Sequence, residues 1–470
     1  MKALARGLVV ALALSRAASA TVHGWVGPSS GGVWSNAANW DTGVPTSNEA
    51  GGTIVAFLTN VTSSQDIPGL IVDRILFFGT GNVVSATQPL TLRGTVLSPS
   101  IQDNVGGNAM NGSYVLSGTI ANPVNVVVSS GTLALVATLS GSPGQLTFAG
   151  NVTLFATSTY SGATVVKSGL VTADSLTTNG AIPGNLTIGD GTGAADTATL
   201  RLVSSNVISN ASVVSVGSDG RFDLDDRAET VAGLSDPAGD FGGNVTLGSA
   251  SLTLAQAPGA TLSFTGTISG TGGVTVTGNG TGLQRFGGNN TYTGITAASS
   301  GVLEVHGSQP ASSVSVIAGT LSGGGTVGAV SSLNGTVNPG IVGTASTGAL
   351  HVPTLSMAAG TTFKVLVGSL VNPPGDSVVA TGAVQINGAA LAVEKGAGAI
   401  NPGDTYDVVI AAAGVSGTFA GQPNGSSVVA SGQELRVNYG ANTVTLTSCA
   451  TAAPTVTAPA AATLLQSTCQ

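Results

Sequence analysis

Residues 260–307 read ATLSFTGTISGTGGVTVTGNGTGLQRFGGNNTYTGITAASSGVLEVHG. Short runs of Val, Thr, Leu, Ile and Ala alternate with small polar residues, and Gly and Asn separate the runs. An alternation with a period of two places one set of side chains on the inner face of a strand and the other set outside. No helical period with caps is present. This stretch therefore predicts short β-strands joined by tight turns.

The same texture runs from about residue 50 to residue 447, and it repeats. Residues 144–174 and 272–307 share one order of strands around a T-Y-[ST]-G motif, with Tyr160 and Tyr292 in equivalent places. Repeats of this kind are typical of solenoids, in which each coil buries its inward residues against the neighbouring coils. The sequence thus predicts an all-β, right-handed parallel β-helix with roughly 25 residues per coil. The two tyrosines are predicted to be stacked external or corner residues.

The composition limits the classes of protein that remain. Of 470 residues, 70 are Gly, 42% are hydrophobic and only 7% are charged, which argues against ordinary disorder. The net charge of −8 offers no basic surface for nucleic acid or for an anionic membrane. After the N-terminal segment no stretch is long and apolar enough to predict a transmembrane helix. Neither a nucleic-acid partner nor a membrane span is expected.

The ordered series of repeats resembles a known family. Residues 260–307 resemble the autotransporter-associated β-strand repeat, with its S-G-x-G and N-x-Y-x-G motifs, and residues 150–171 resemble a weaker copy. Residues 220–236 are similar to the strand that often precedes such a repeat, and residues 31–50 to the N-terminal cap of these proteins. Further stretches resemble the C-terminal coils of autotransporter passengers: 321–340, 375–393, 404–421 and 437–447.

This resemblance implies a surface-exposed parallel β-helical passenger. Complete autotransporters carry a C-terminal membrane β-barrel, and the sequence predicts no such barrel in this chain, because no set of strands with aromatic girdles follows the repeats.

Four segments are predicted along the chain. Residues 1–20 read as a secretory signal, with a basic start, a short apolar run and an Ala-x-Ala site. A Trp-rich cap is expected over residues 21–60, the parallel β-helix over 60–447, and a flexible Thr/Ala/Pro tail over 448–470. The signal predicts export, and the resemblance to autotransporter passengers implies the medium or the outer surface of a Gram-negative bacterium as the destination.

An acidic cluster is the main candidate for chemistry. Oxygen ligands suit Ca²⁺, and a polysaccharide-cleaving enzyme would also use convergent acids, but the spacing fits no known calcium loop. The favoured interpretation is turn capping and solubility, so no metal ligand and no catalytic residue is assigned. The cluster comprises Asp219, Asp223, Asp225, Asp226, Asp236 and Asp240.

The tripeptide Gly375-Asp376-Ser377 invites a serine-hydrolase interpretation. That chemistry requires a His base beside the Ser and an acid to orient the base. Val378 follows the tripeptide where such motifs carry Gly, and His306 and His351 stand alone on strand-like segments. We therefore expect no protease site. The three histidines are His23, His306 and His351.

The tryptophans and the cysteines each allow two interpretations. Trp25, Trp34 and Trp40 lie close together and predict either a plug over the open end of a solenoid, which is favoured, or a ligand site. Cys449 and Cys469 predict either one disulfide closing a short loop or two unpaired thiols.

These observations predict a secreted or surface-exposed structural or adhesive protein. It would be non-enzymatic, would need no cofactor, and would make weak multivalent contacts with glycans, with host or cell surfaces, or with itself. The alternative is an extracellular polysaccharide lyase or hydrolase that uses the cluster between Asp219 and Asp240.

Overall fold

The computed structural model describes residues 20–58, 60–94, 97–155, 157–342, 347–368 and 375–449. The predicted signal up to residue 19 and the predicted tail from residue 450 lie outside the described residues. The chain divides into an N-terminal unit, Met1–Ala250, and a C-terminal unit, Ser251–Gln470. Almost all regular structure is β-strand, and within the described ranges the only helical element is a 3-10 turn at Ala37–Asn39.

The N-terminal unit is built mainly from strands that pair in parallel. Its strands are β1 (Thr21–Gly24), β2 (Gly32–Val33), β3 (Thr53–Phe57), β4 (Thr62–Gln65), β5 (Ile71–Val72), β6 (Arg74–Phe77), β7 (Val83–Arg93), β8 (Ser100–Asp103), β9 (Asn108–Ser117), β10 (Val124–Ser142), β11 (Gly144–Phe155), β12 (Gly162–Asp174), β13 (Leu186–Ile188), β14 (Ala198–Leu202), β15 (Val213–Val216), β16 (Gly220–Asp223), β17 (Glu229–Val231), β18 (Gly233–Ser235) and β19 (Asn244–Thr246).

Two parallel ladders run through this unit and share its longest strands. One follows β1, β3, β6, β8, β10, β11, β12, β13, β15 and β18, and the other follows β2, β4, β7, β9, β10, β11, β12, β14, β16 and β19. One coil of chain separates neighbouring rungs, and the register shows that coils differ in length. Leu146 pairs with Thr164, whereas Thr21 pairs with Thr53, which lies much further along the chain.

The C-terminal unit contains the remaining strands. They are β20 (Leu252–Gln256), β21 (Thr261–Phe264), β22 (Thr267–Ser269), β23 (Val274–Gly278), β24 (Leu283–Phe286), β25 (Thr296–Ala298), β26 (Val302–Val305), β27 (Ser308–Gln309), β28 (Val314–Val316), β29 (Thr320–Ser322), β30 (Thr326–Val327), β31 (Val330–Ser332), β32 (Thr336–Asn338), β33 (Ala349–Val352), β34 (Leu355–Met357), β35 (Thr362–Val367), β36 (Ser377–Ala380), β37 (Val384–Asn387), β38 (Ala390–Lys395), β39 (Thr405–Ala411), β40 (Val415–Thr418), β41 (Ser427–Ala430), β42 (Gln433–Tyr439) and β43 (Thr443–Ser448).

Three sheets form the faces of the C-terminal unit. The first follows β20, β23, β25, β28, β31, β34, β37 and β40; the second β21, β24, β26, β29, β32, β35 and β38; the third begins with β27, β30, β33, β36 and β39. Coil length varies here too, since Val314 pairs with the nearby Val330, whereas Val384 pairs with the more distant Val415. Together with the ladders of the N-terminal unit, these sheets confirm the predicted all-β parallel β-helix.

The period-two pattern produces the core. In β23, Val274 and Val276 are buried while Thr275 between them is partly exposed, and the same alternation recurs in β28. Small and branched side chains stack on their counterparts one coil away, which lets neighbouring strands approach to the usual spacing. Large aromatic side chains are scarce because the interior of such a coil is narrow.

The end of the C-terminal unit corrects one prediction. Parallel winding was expected to residue 447, but β39 pairs with β43, β43 with β42 and β42 with β41 in antiparallel register. Ser431 and Gly432 join β41 to β42 and both have positive φ, of 47° and 82°. A two-residue turn of this kind reverses the chain, whereas a parallel pair needs a long crossover. The described part of the chain therefore ends in an antiparallel sheet.

Candidate functional site

The acidic cluster separates into individual backbone contacts. Asp219 is buried and accepts a hydrogen bond from the Gly191 N–H at 2.9 Å, one coil away. Asp240 accepts from the Ser218 N–H at 2.9 Å, and Asp226 accepts from the Ser249 N–H, one coil later, at 2.6 Å. Within the described ranges no group of three His, Cys, Asp or Glu side chains is close enough to hold a metal ion.

The remaining members of this cluster have different surroundings. Asp223 is buried and bonds to the Arg201 guanidinium, with 2.9 Å between Oδ2 and Nε. Asp225 and Asp226 are exposed and have positive φ, so they form the turn itself. Asp236 lies at the start of a loop and is partly exposed. These carboxylates cap turns and link coils; they do not converge on one point.

Burial changes the proton affinity of two other carboxyl groups. Glu229 accepts hydrogen bonds from the N–H groups of Val207, Ile208 and Thr230, but burial dominates and raises its pKa to about 7. Asp376, in the Gly-Asp-Ser motif, is likewise buried, and burial raises its pKa to about 6.

The Gly-Asp-Ser motif is a structural link. Asp376 Oδ1 accepts from the Gly348 N–H at 2.9 Å and Oδ2 from the Leu366 N–H at 2.8 Å. Ser377 is buried as the first residue of β36 and pairs with Ala349. No His contacts Ser377 within the described part of the chain, so the nucleophile–base geometry is not formed there.

The three tryptophans form one buried aromatic cluster in the first coils of the N-terminal unit. Trp40 contacts Trp25 and Trp34 edge-on, with centroid distances of 5.0 and 5.4 Å, and all three rings contact Phe57. The Trp40 Nε1–H donates to the Trp34 carbonyl at 2.8 Å. Because all three rings are at most 4% exposed, they cannot stack on an external sugar. This burial argues against the ligand site, and the role of the cluster as a plug at the solenoid end stays a prediction.

The repeated tyrosines are internal. Tyr160 and Tyr292 are buried, and each hydroxyl bonds to the Thr hydroxyl four residues later, Thr164 or Thr296. Burial raises the pKa of Tyr292 to about 12. The prediction of equivalent places holds, but the prediction of external positions is wrong. A ring at this corner fills the interior, and its hydroxyl finds an internal partner.

The histidines occupy three different environments. His23 is buried and bonds to Glu49 through Nε2 at 3.0 Å and to the Gly43 carbonyl through Nδ1 at 2.8 Å. His351 is exposed on β33. His306 contacts Glu304, with 2.6 Å between Nε2 and Oε1.

Sequence reasoning missed the surroundings of His306. Glu304 lies on β26, and His306 is the first residue after that strand, so a spacing of two in extended chain was a readable signal that the two side chains lie on one side. Arg285 lies beside Glu304 one coil earlier, which only the register reveals. Cys449 is disulfide-bonded, and Cys469 lies outside the described residues.

One outer face of the C-terminal unit carries a row of uncharged, mostly small side chains in cross-strand register. These residues lie on eight successive strands of the first sheet, all but the last between buried neighbours, and none is charged. Neighbouring rungs of such a sheet are about 4.8 Å apart. We call this row the uncharged ladder: Thr253, Thr275, Ala297, Ser315, Ser331, Ser356, Gln385 and Ser416.

The fold and this face define a parallel β-helical protein with a regular polar surface. No family model matches the chain. Over 111 residues, 23% of its length, the chain is 40% identical to a protein named Adhesin BmaC autotransporter from Brucella suis biovar 1 (strain 1330). The matched stretch is 3% of that protein, so this chain spans only a small part of the relative. Within the described residues, no helix has the length and apolarity to cross a membrane.

Proposed function

We propose that this chain is an exported, non-enzymatic contact protein that acts as an adhesive passenger at the surface of a Gram-negative bacterium. The uncharged ladder carries the proposal. Every ladder residue except Ala297 offers a side-chain hydroxyl or amide group on this face, which suits many weak hydrogen bonds made together. The partial similarity to an adhesin autotransporter supports this role.

The chemistry of the acids also supports a contact role. The acids with described partners mostly accept backbone N–H groups of neighbouring coils or pair with a cation on the same sheet. A carboxylate engaged in this way is not free to serve as general acid or base without breaking a link between coils. Weak contacts with glycans, cell surfaces or like chains remain the proposed interactions.

The test places charge on the ladder and measures attachment. A triple variant, Ser315→Glu, Ser331→Glu and Ser356→Glu, puts three carboxylates on adjacent rungs and should reduce retention of the protein on producing cells at least about tenfold. A charge forced against a neutral partner loses hydration without gaining a partner.

A matched control is available in the same coils. Thr320, Thr336 and Thr362 form a cross-strand row on the second sheet, one strand later than each ladder position. The triple variant with Glu at these three positions adds the same charge and should retain wild-type attachment. Equal loss in both triple variants, or no attachment of the wild-type protein, would contradict the proposal.

A further inference from the structure

A buried carboxylate bonds to a guanidinium and to an imidazole at the outer face of the second sheet. Glu304 is fully buried, although its register neighbour Arg285 is about one-third exposed. The Val342 N–H donates to Glu304 Oε2 at 3.0 Å. Burial by itself raises the pKa of Glu304, but the hydrogen bonds from His306, Arg285 and Val342 together hold it below its ordinary value. Glu304 is therefore a fixed anion at neutral pH.

Both partners bind the same carboxylate oxygen. Arg285 Nε and His306 Nε2 each lie 2.6 Å from Glu304 Oε1, so these two nitrogens are at most about 5 Å apart. The carboxylate accepts the Nε2–H of the imidazole, which leaves Nδ1 free of this contact. Two side chains are thus held together in fixed orientations by one anchor.

The outer ends of these side chains retain unused binding capacity. Among the described residues, the two terminal amino groups of Arg285 and Nδ1 of His306 have no hydrogen-bond partner. Both side chains are about one-third exposed. The C-terminal unit contains six acidic and four basic residues, so most of the negative charge of the chain lies in the other unit. An anion approaching this cluster meets little repulsion, since exposed charges beyond about 8 Å are screened at physiological salt.

We propose that Arg285 and His306 form a binding site for the carboxylate of an acidic sugar, with Glu304 as the positioning residue. A guanidinium presents its terminal N–H groups in a fork that matches a carboxylate. Because Glu304 already orders both side chains, little rotamer entropy is lost on binding. The proposed surface role makes extracellular polysaccharide the source of this ligand. Only the source of the ligand rests on that proposed function.

The experiment titrates the full chain with D-glucuronate and follows its histidine side chains by NMR. The chain has only three histidines. His306 should shift with glucuronate and not with glucose, while His351, which is exposed elsewhere, serves as the internal reference. Ligand-observed NMR then gives the affinities of the variants.

Two variants test the site and one controls for charge. Arg285→Lys keeps the charge but loses the fork, and His306→Gln can still donate to Glu304; each should weaken glucuronate binding about tenfold or more. Lys364→Gln removes a cation that pairs with Glu394 on the same sheet, and should bind like the wild type. Circular dichroism and melting temperature verify that each variant is folded.

Several results would overturn the proposal. They are no shift of His306 with glucuronate, an equal shift with glucose, or unchanged affinity in folded Arg285→Lys and His306→Gln proteins. Inorganic phosphate binding as tightly as glucuronate at equal ionic strength would overturn the assignment to a sugar carboxylate. The ladder variants of the attachment test leave this site intact, so failure of one proposal is distinguishable from failure of the other.

Discussion

At the scale of single residues, the side-chain carboxylates act as acceptors for backbone amides between coils. Asp219, Asp376 and Glu229 are each buried and each accept N–H groups from a neighbouring segment. In a solenoid, the backbone N–H and C=O groups of paired strands form hydrogen bonds with each other. The corners between strands leave some N–H groups without such partners. Carboxylates at the corners satisfy these groups at the expense of burying a charge.

Glu229 makes the stability of the N-terminal unit depend on pH. Its pKa rises from 4.5 to about 7 on folding, so between these values the folded protein holds a proton that the unfolded chain has released. The contribution to stability is complete below pH 4.5 and is lost as the pH rises through about 7. Glu229→Gln should therefore flatten the pH dependence of the unfolding free energy between about pH 5 and pH 8 by roughly 2–3 kcal/mol. Denaturant unfolding at several pH values measures this change.

The control for this prediction is Asp240→Asn. Asp240 is partly exposed; burial raises its pKa, but hydrogen bonds from Ser218 and Phe241 hold it below its ordinary value. It does not titrate in the same window, so its variant should keep the wild-type slope. An unchanged slope in Glu229→Gln would show that Glu229 is ionised in the folded protein throughout the window.

At the scale of elements, the predicted aromatic plug packs within the first coils. Phe57 on β3 contacts all three tryptophan rings. It also stacks on Phe77 of β6, the strand that pairs with β3, with 5.5 Å between the ring centroids. Phe57→Ala should lower the stability of this region by about 3–5 kcal/mol, because it leaves a cavity among rings that cannot collapse. All three tryptophans of the chain lie in the plug, so intrinsic fluorescence reports its unfolding.

Phe241→Ala is the matched control for the plug. Phe241 is 77% exposed, so the same truncation there removes little buried surface. Its fluorescence-detected transition should coincide with that of the wild type. A wild-type transition in Phe57→Ala would mean that the plug does not hold the first coils together.

At the scale of elements, the close spacing of neighbouring strands also requires glycine at particular positions. Gly150 in β11 has φ of 105°, and a Cβ there would lie 2.0 Å from the Val128 carbonyl oxygen of the neighbouring strand. Gly150→Ala should lower the stability of the N-terminal unit by more than the strain of a positive φ would cause by itself, because the neighbouring strands would have to move apart. Gly239 has φ of 83° with open space around it. Gly239→Ala should cost only about 1–2 kcal/mol.

Urea unfolding compares these two glycine variants directly. Equal losses at Gly150 and Gly239 would show that backbone conformation alone matters. A larger loss at Gly150 assigns the difference to close packing of neighbouring strands.

At the scale of the whole molecule, the proposed contact surface is distinguished by its lack of charged side chains. The chain has only 34 charged residues among 470, and the uncharged ladder has none of them. Attachment through this ladder should change less than about twofold between about 0.05 M and 0.5 M salt, because neutral hydrogen bonds are not screened. Retention on cells across a salt series measures this. A steep loss with salt would assign attachment to charged groups instead.

Much of this architecture follows from local patterning. The alternation in GVTVTG, residues 273–278, places Val274 and Val276 inside and Thr275 outside whatever the neighbouring coils do. The equivalence of Tyr160 with Tyr292 is also visible as a repeated motif. The antiparallel end was readable in principle from Ser431-Gly432, a turn dipeptide between two alternating runs.

Tertiary structure alone decided which polar residues meet. The winding brings Arg285 beside Glu304 and Ser315 beside Ser331, and the variable length of the coils hides that register from the sequence. Burial likewise depends on residues distant in sequence that cover a side chain. Glu304 and the tyrosines are therefore buried, although their local sequence patterns resemble those of exposed residues. The period of a strand is a local property and could be read from the chain, whereas register and burial are set by residues one coil or more away.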